Sequence, residues 1–175
     1  MAQKTDSLQK RSGPMREVDA VDRRILGELA RDASQSFAQL GEAVGLSAPA
    51  VHERVKRLKA QGVIKGTVAQ LDGARLGKPL LAFVHVTTKG WGKTRALMAL
   101  ADLPEVEEIH SATGDTCLIM KVRVASSLAL EGLLSRIYDL PEVRGTQTYV
   151  ALSTHLERSP QAEVTVALEA METLR

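Results

Sequence analysis

From Asp19 onward, apolar residues return at helical intervals: Val21, Ile25 and Leu29, with Leu26 beside them, line one face of a helix that the pattern ends near Asp32. Ser36-Phe37-Ala38-Gln39 has the S-x-x-Q form of a capping box, in which hydroxyl and amide satisfy each other's backbone donors, and Leu40 and Val44 carry the stripe on to Gly45. Ser47 is positioned to cap a third helix. Pro49 falls in its first turn, where a missing N–H costs nothing, and Val51, Val55 and Leu58 form its buried face before Gly62 ends it. Three helices, the last two joined by the tight Val44-Gly45-Leu46-Ser47 turn, make a helix-turn-helix, a unit that can present its last helix to the DNA major groove.

After Gly62 the period shortens. Val63 to Leu71 reads as a strand, and Asp72-Gly73 and Gly77-Lys78-Pro79 read as turns, so residues 63–78 are expected to be a strand hinge between a helix-turn-helix domain (17–62) and a second domain (79–156). That second domain contains a repeat: Leu103-Pro104-Glu105-Val106 and Leu140-Pro141-Glu142-Val143 each follow a strand and a helical stretch. LLAFVHVTT, WGKTRALMALAD and EVEEIHSAT form one βαβ unit, and CLIMKVRVA, SSLALEGLLSRIYD and EVRGTQTYVAL form another, giving the β-α-β-β-α-β order of a ferredoxin-like domain with both helices on one sheet face. Chance turn chemistry is the other reading of the repeated tetrapeptide. Strands as apolar as LLAFV and CLIMKV predict that a second subunit covers the open sheet face. Val164, Leu168, Met171 and Leu174 predict a terminal helix within 157–175, packed on its own subunit or on a neighbour. Residues 1–16, polar and basic around Ser12-Gly13-Pro14, are expected to be a disordered arm.

The third helix carries the chemistry. With Val51, Val55 and Leu58 facing inward, Ser47, Pro49, Ala50, His52, Glu53, Lys56 and Lys59 lie outward or on the flanks, and Arg54 and Arg57 add to the positive charge. Two readings are open: a solvated helix face, or a DNA-reading surface on which Arg54, Arg57, Lys59 and the basic arm meet phosphates while Ser47, Pro49, Ala50, His52, Glu53 and Lys56 meet base edges. The capped three-helix setting favours DNA. The net charge of +2 is compatible, because basic residues cluster on this helix and acidic ones balance them elsewhere. Aromatics make up 3%, which leaves few base-stacking platforms for single-strand binding. Cys117 is the only cysteine, which excludes an intrachain disulfide and multi-cysteine metal sites and suits a reducing compartment. No window is long and apolar enough to span a membrane, and the N-terminal stretch lacks a secretory signal's apolar core, so a cytoplasmic protein is expected.

Asp19-x-x-Asp22-x-x-Ile25-Leu26-x-x-Leu29, Gly45-Leu46-Ser47 followed by Val51-x-x-Arg54-Val55-x-Arg57-Leu58-x-x-x-Gly62-Val63-Ile64, and Leu76-Gly77 before an apolar strand together resemble the Lrp/AsnC family, the feast/famine transcription regulators, over about residues 17 to 156. The resemblance implies an α+β chain with an N-terminal winged helix-turn-helix domain and a C-terminal ferredoxin-like βαββαβ (RAM-type) domain. It also implies a sequence-specific regulator that binds a pseudo-palindromic DNA operator as a homodimer, with tetramers or octamers beyond it, and responds to a small effector, usually an amino acid. By the same resemblance, Thr113, Gly114, Asp115, Thr116 and Cys117 fall on the family's effector loop, where this chain has Cys117 in place of a common acidic residue. Exposed amides there can hold a carboxylate and Asp115 can meet an ammonium; Gly114-Asp115 is equally a plain hairpin turn. Cys117 reads as a small buried apolar residue or as a redox switch.

No enzyme is expected. The chain holds no nucleophile motif, no phosphate-cradling glycine loop and no zinc spacing among His52, His85, His110 and His155, so no cofactor or metal is expected either. The alternatives are a siroheme-decarboxylase-like enzyme on the same two-domain layout, using His85 and His110 on neighbouring strands, and an assembly module that does not bind DNA.

Overall fold

The structure, a computed structural model, describes residues 17–90 and 94–163. It divides into two units, one holding the described residues 17–68 and 158–163, the other running Ala69–Glu157.

The first unit contains α1 (Ala20–Arg31), α2 (Phe37–Val44) and α3 (Ala48–Ala60). Its core is aliphatic: Ile25, Leu40, Val44, Val51 and Val55 are buried together, with Val21, Leu29, Leu46 and Ile64 packed around them. The predicted capping box opens α2, where the Gln39 amide donates to Ser36 Oγ at 3.3 Å and the Ser36 amide to Gln39 Oε1 at 2.8 Å. A second box opens α1, between Asp19 and Asp22. Ser47 begins α3 but makes no side-chain cap; Pro49, at the second helical position, removes one of the amides such a cap would serve. Between α2 and α3 the chain reverses through Gly45 at φ 75°, a left-handed conformation that suits glycine. The Leu46 amide then donates to the Gly41 carbonyl at 2.9 Å. This approach is so close that a Cβ on Gly41 would sit 2.4 Å from the Leu46 carbonyl oxygen. Residues 158–163 return to this unit, where Arg23 Nη1 donates to the Ala162 carbonyl at 2.8 Å.

The second unit is the expected ferredoxin-like domain. β1 (Leu80–Thr88), β2 (Val106–Ser111), β3 (Leu118–Val124) and β4 (Val143–Val150) form one sheet in the order β2-β3-β1-β4, with every pair antiparallel. α5 (Ser127–Tyr138) and the first helical segment, α4 (Arg95–Met98), bury Leu130, Leu133, Ile137 and Leu97 against Val84, Val86, Met120 and Val122 of the sheet. α4 is shorter than predicted and tightens into a 3-10 turn at Ala99–Asp102. That geometry eclipses side chains three apart, which puts Leu97 and Leu100 on the sheet together. The repeated tetrapeptide is one turn used twice. Val106 donates to Leu103 and Val143 to Leu140, each at 3.0 Å, so each helical segment is folded back into the next strand in the same way.

Three further expectations change. Residues 63–71 form no strand: Val68 and Leu71 are 89% and 68% exposed, and the amides of 65–71 donate to no described residue. An extended segment becomes a strand only when another strand takes up its ladder, and among the described residues none does. Residues 157–163 are irregular, interrupted by Pro160, and the remainder of the expected terminal helix lies outside the described residues, as does the basic arm. The open sheet face is mixed rather than apolar, because the hydrophobic runs split by alternation. Ala82, Val84 and Val86 of β1 turn to the helices; Phe83 and His85 turn outward, next to Tyr149 on one side and Lys121 and Ile119 on the other. Toward β2 this face is an ion-pair network, in which Arg123 meets Glu107 at 2.7 Å and Glu157 at 3.0 Å, and Lys121 meets Glu107 at 3.1 Å and also Glu157.

Gly41→Ala forces a methyl group against backbone that cannot swing aside. It is expected to cost roughly 1–3 kcal/mol, read as a lower denaturation midpoint with hydrogen exchange accelerated first in α2 and the following turn.

Candidate functional site

Two pieces of geometry bear on function: the outward side of α3, and the β2–β3 loop.

The buried residues of α3 define its inward side, and at about 100° per residue the others sort around the axis. Pro49, Glu53 and Lys56 lie opposite the core. His52 and Lys59 occupy one flank, Arg54 and Arg57 the other, with half-buried Ala50 beside Arg57. Ser47 is exposed at the helix start. The His52 ring is braced edge-on against Phe37 of α2, centroids 5.1 Å apart, and its Nδ1 lies 3.5 Å from Glu53 Oε1. Lys56 and Lys59 are exposed and make no ion pair among the described residues. Arg24 Nη2 donates to the Ala43 carbonyl at 2.9 Å, a cation at the negative end of α2.

Arg54 and Arg57, expected to reach phosphate, are engaged inside the unit. Arg54 Nη1 lies 2.6 Å from Asp19 Oδ2 and 2.8 Å from Asp22 Oδ1; Arg57 Nη2 lies 2.7 Å from Asp22 Oδ1 and 2.5 Å from Asp22 Oδ2. Both acids stand at the start of α1, where they favour the helix dipole and satisfy its first amides. The Arg54 hydrogen bond, aided by the Asp22 amide, holds the Asp19 carboxyl below its ordinary range; Asp19 and Asp22 in turn raise Arg54. Nothing in the spacing of α1 and α3 announces this contact, which joins residues more than thirty positions apart, each with a sufficient local explanation. Asp19, Asp22 and Phe37 are therefore direct neighbours of the α3 side chains, and Gly41 of the turn before it, contacts that the spacing alone does not give.

The loop 113–117 joins β2 to β3 and lies against the end of β1. Gly114 adopts φ 119°, and Thr116 Oγ1 donates to the carbonyls of Val86 and Leu118 at 3.0 Å each. The Cys117 amide donates to Val86 at 3.0 Å, and the Ala112 amide to Cys117 at 3.0 Å. Those bonds fix the base of the loop. The amides of Thr113, Gly114, Asp115 and Thr116 donate to no described residue, and Asp115 is exposed without an ion pair among them. Cys117 is half-buried; hydrogen bonding with Thr88, aided by the charge of Arg144, lowers its thiol pKa. His85 and His110 are not on neighbouring strands. β3 runs between their strands, with Ile119 paired to each of them, and His85 packs edge-on against Tyr149 while His110 meets Glu108 at 2.8 Å. Among the described residues no group of three or more His, Cys, Asp or Glu could hold a metal, and no helix is long and apolar enough to cross a membrane.

Both regions match known domains: the AsnC-type helix-turn-helix domain over residues 18–59, and the Lrp/AsnC ligand-binding domain over residues 81–161. The HTH-type transcriptional regulator FL11 of Pyrococcus horikoshii is 34% identical over 140 residues, which is 80% of this chain and 93% of the relative. The chain belongs to the Lrp/AsnC family. The leucine-responsive regulatory protein of Escherichia coli is 36% identical over 143 residues, covering 79% of this chain and 87% of its own length. Among solved structures, E. coli AsnC aligns with a TM-score of 0.75 at 29% identity, over 83% of this chain and 99% of that one. A feast or famine regulatory protein from Mycobacterium tuberculosis, complexed with L-methionine, aligns with a TM-score of 0.77 at 34% identity, over 84% and 100%. In this Lrp/AsnC chain, α1 to α3 carry the helix-turn-helix, and the loop 113–117 lies within the ligand-binding domain.

Because the Asp19 carboxyl titrates lower when folded than its free value of about 3.9, its contribution is complete above that value and is lost as pH falls through the folded pKa. The helix-turn-helix should therefore weaken below about pH 4, and Asp19→Asn should remove part of that dependence in denaturation midpoints measured from pH 6 to pH 3.

Proposed function

We propose that this protein is a transcription regulator that reads duplex DNA with the outward side of α3 and responds to an amino acid held at the loop 113–117. The observation that carries the reading is that surface: Pro49, His52, Glu53, Lys56 and Lys59 exposed on α3, with both lysines free of ion pairs among the described residues. Lys56 and Lys59 supply phosphate contacts, while Ser47, Pro49, Ala50, His52 and Glu53 meet base edges in the major groove. Arg54 and Arg57 leave the phosphate-contact set, since their guanidinium groups are already paired.

The loop suits an α-amino acid. Its unpaired amides and the left-handed Gly114 can receive a carboxylate, and exposed Asp115 can receive an ammonium. The relative complexed with L-methionine supports this ligand class. The protein acts as a homodimer in the cytoplasm, and a second copy covers the aromatic half of the open sheet face, where Phe83, His85 and Tyr149 lie together. A dimer of this kind reads a pseudo-palindrome with half-sites one or more helical turns apart.

Selection of sites from random duplex DNA by the purified protein, at two salt concentrations and with or without mixed amino acids, tests the reading. A two-fold-symmetric motif whose enrichment shifts with amino acids is the expected result, and no enrichment at either salt discards it. Lys56→Ala and Lys59→Ala should each weaken binding to every duplex and reduce the slope of log affinity against log salt by about 0.9. Asp115→Asn should abolish the amino-acid response in a gel-shift titration and leave binding without amino acid unchanged.

A further inference from the structure

The outward side of α3 can read bases only if the helix is held at one rotation about its axis. Its core contacts choose the inward side but leave play in the angle within it. Val51, Val55 and Leu58 are buried aliphatic side chains, and apolar burial is non-directional. Charged hydrogen bonds are directional, and α3 carries a set of them on a single flank. Arg54 and Arg57, one turn apart, converge on Asp22, whose side chain is 1% exposed. Every acceptor position on that carboxylate is in use: Oδ1 takes Arg54 and Arg57, and Oδ2 takes Arg57 and, at 3.2 Å, the Asp19 amide. Asp19 takes Arg54 as well, and the Asp22 amide at 2.7 Å closes the box. Arg57 Nε is buried with no partner among the described residues, where Asp22 supplies the hydrogen bonds to this guanidinium.

We infer that Asp22 is a positioning residue for DNA recognition: its buried carboxylate clamps α3 to the start of α1 through Arg54 and Arg57, and so sets the rotation at which Pro49, His52 and Glu53 face the groove. This rests on the reading of α3 as the DNA-facing helix. The clamp withholds two cations from the phosphate backbone, giving up sequence-independent attraction for a defined orientation. Its signature therefore differs from that of a residue needed only for folding. When Asp22 loses its charge the arginines are released toward solvent, so attraction to any duplex holds or rises while discrimination falls.

The test uses the full-length protein, a selected operator and a scrambled duplex of equal length, each titrated across a series of salt concentrations, with thermal melting to establish that every variant is folded. Asp22→Asn should lower the operator-to-scrambled affinity ratio by about tenfold or more, with binding to the scrambled duplex unchanged or tighter. Arg57→Met should lower the same ratio without changing the salt slope. Equal losses on both duplexes for folded Asp22→Asn overturn the clamp, as does a fall in salt slope of about 0.9 for Arg57→Met, the mark of a lost phosphate contact. Should Asp22→Asn fail to fold, the slope and ratio of Arg57→Met decide the matter. A wild-type protein that does not distinguish the two duplexes overturns the reading of α3 and the clamp with it, whereas a selective wild type with contrary variants overturns the clamp alone.

Discussion

In the helix-turn-helix unit, two acids at the start of α1 meet two arginines on one flank of α3, and the unit's other features are arranged around that meeting. A carboxylate as buried as that of Asp22 is tolerated only with its oxygens fully engaged, because an ion removed from water must recover its hydration from fixed partners. The partners come from a helix that the intervening turn must bring alongside. That turn depends in its own right on Gly41 and Gly45, the first for close approach of the Leu46 carbonyl and the second for a left-handed backbone. Disrupting one piece deprives the others of their geometry.

The sheet unit solves a different problem. Two copies of one supersecondary pattern, each closed by the same Leu-Pro-Glu-Val turn, put their helical segments on one face and leave the other to side chains of two kinds. Near β4 that face is aromatic; near β2 it is a lattice of Glu107, Lys121, Arg123 and Glu157. The same alternation that buries Val84 and Met120 necessarily turns Phe83 and Lys121 outward. An apolar strand composition therefore says that one face is buried and little about the other.

The legible part of the fold was the part written in local periods. The three helices, the Ser36–Gln39 box, the βαββαβ order and the paired turns each follow from spacing within about a dozen residues, and all are present. The misreadings share a cause. Residues 63–71 have the composition of a strand but no neighbour among the described residues to complete it. Arg54 and Arg57 look like free cations until α1 is placed beside them. His85 and His110 look adjacent until β3 is seen to run between them.

The elements, their order and the chemical character of α3 follow from local spacing, because helix caps, glycine turns and apolar periods act between residues close along the chain. Which charges on α3 remain available is settled by folding. An ion pair forms between side chains brought together across tens of residues, and its formation depends on the distance and burial that folding creates. Lys56 and Arg57 are neighbours of the same charge in the sequence. In the folded unit one stands exposed without an ion pair among the described residues, and the other is bound to Asp22.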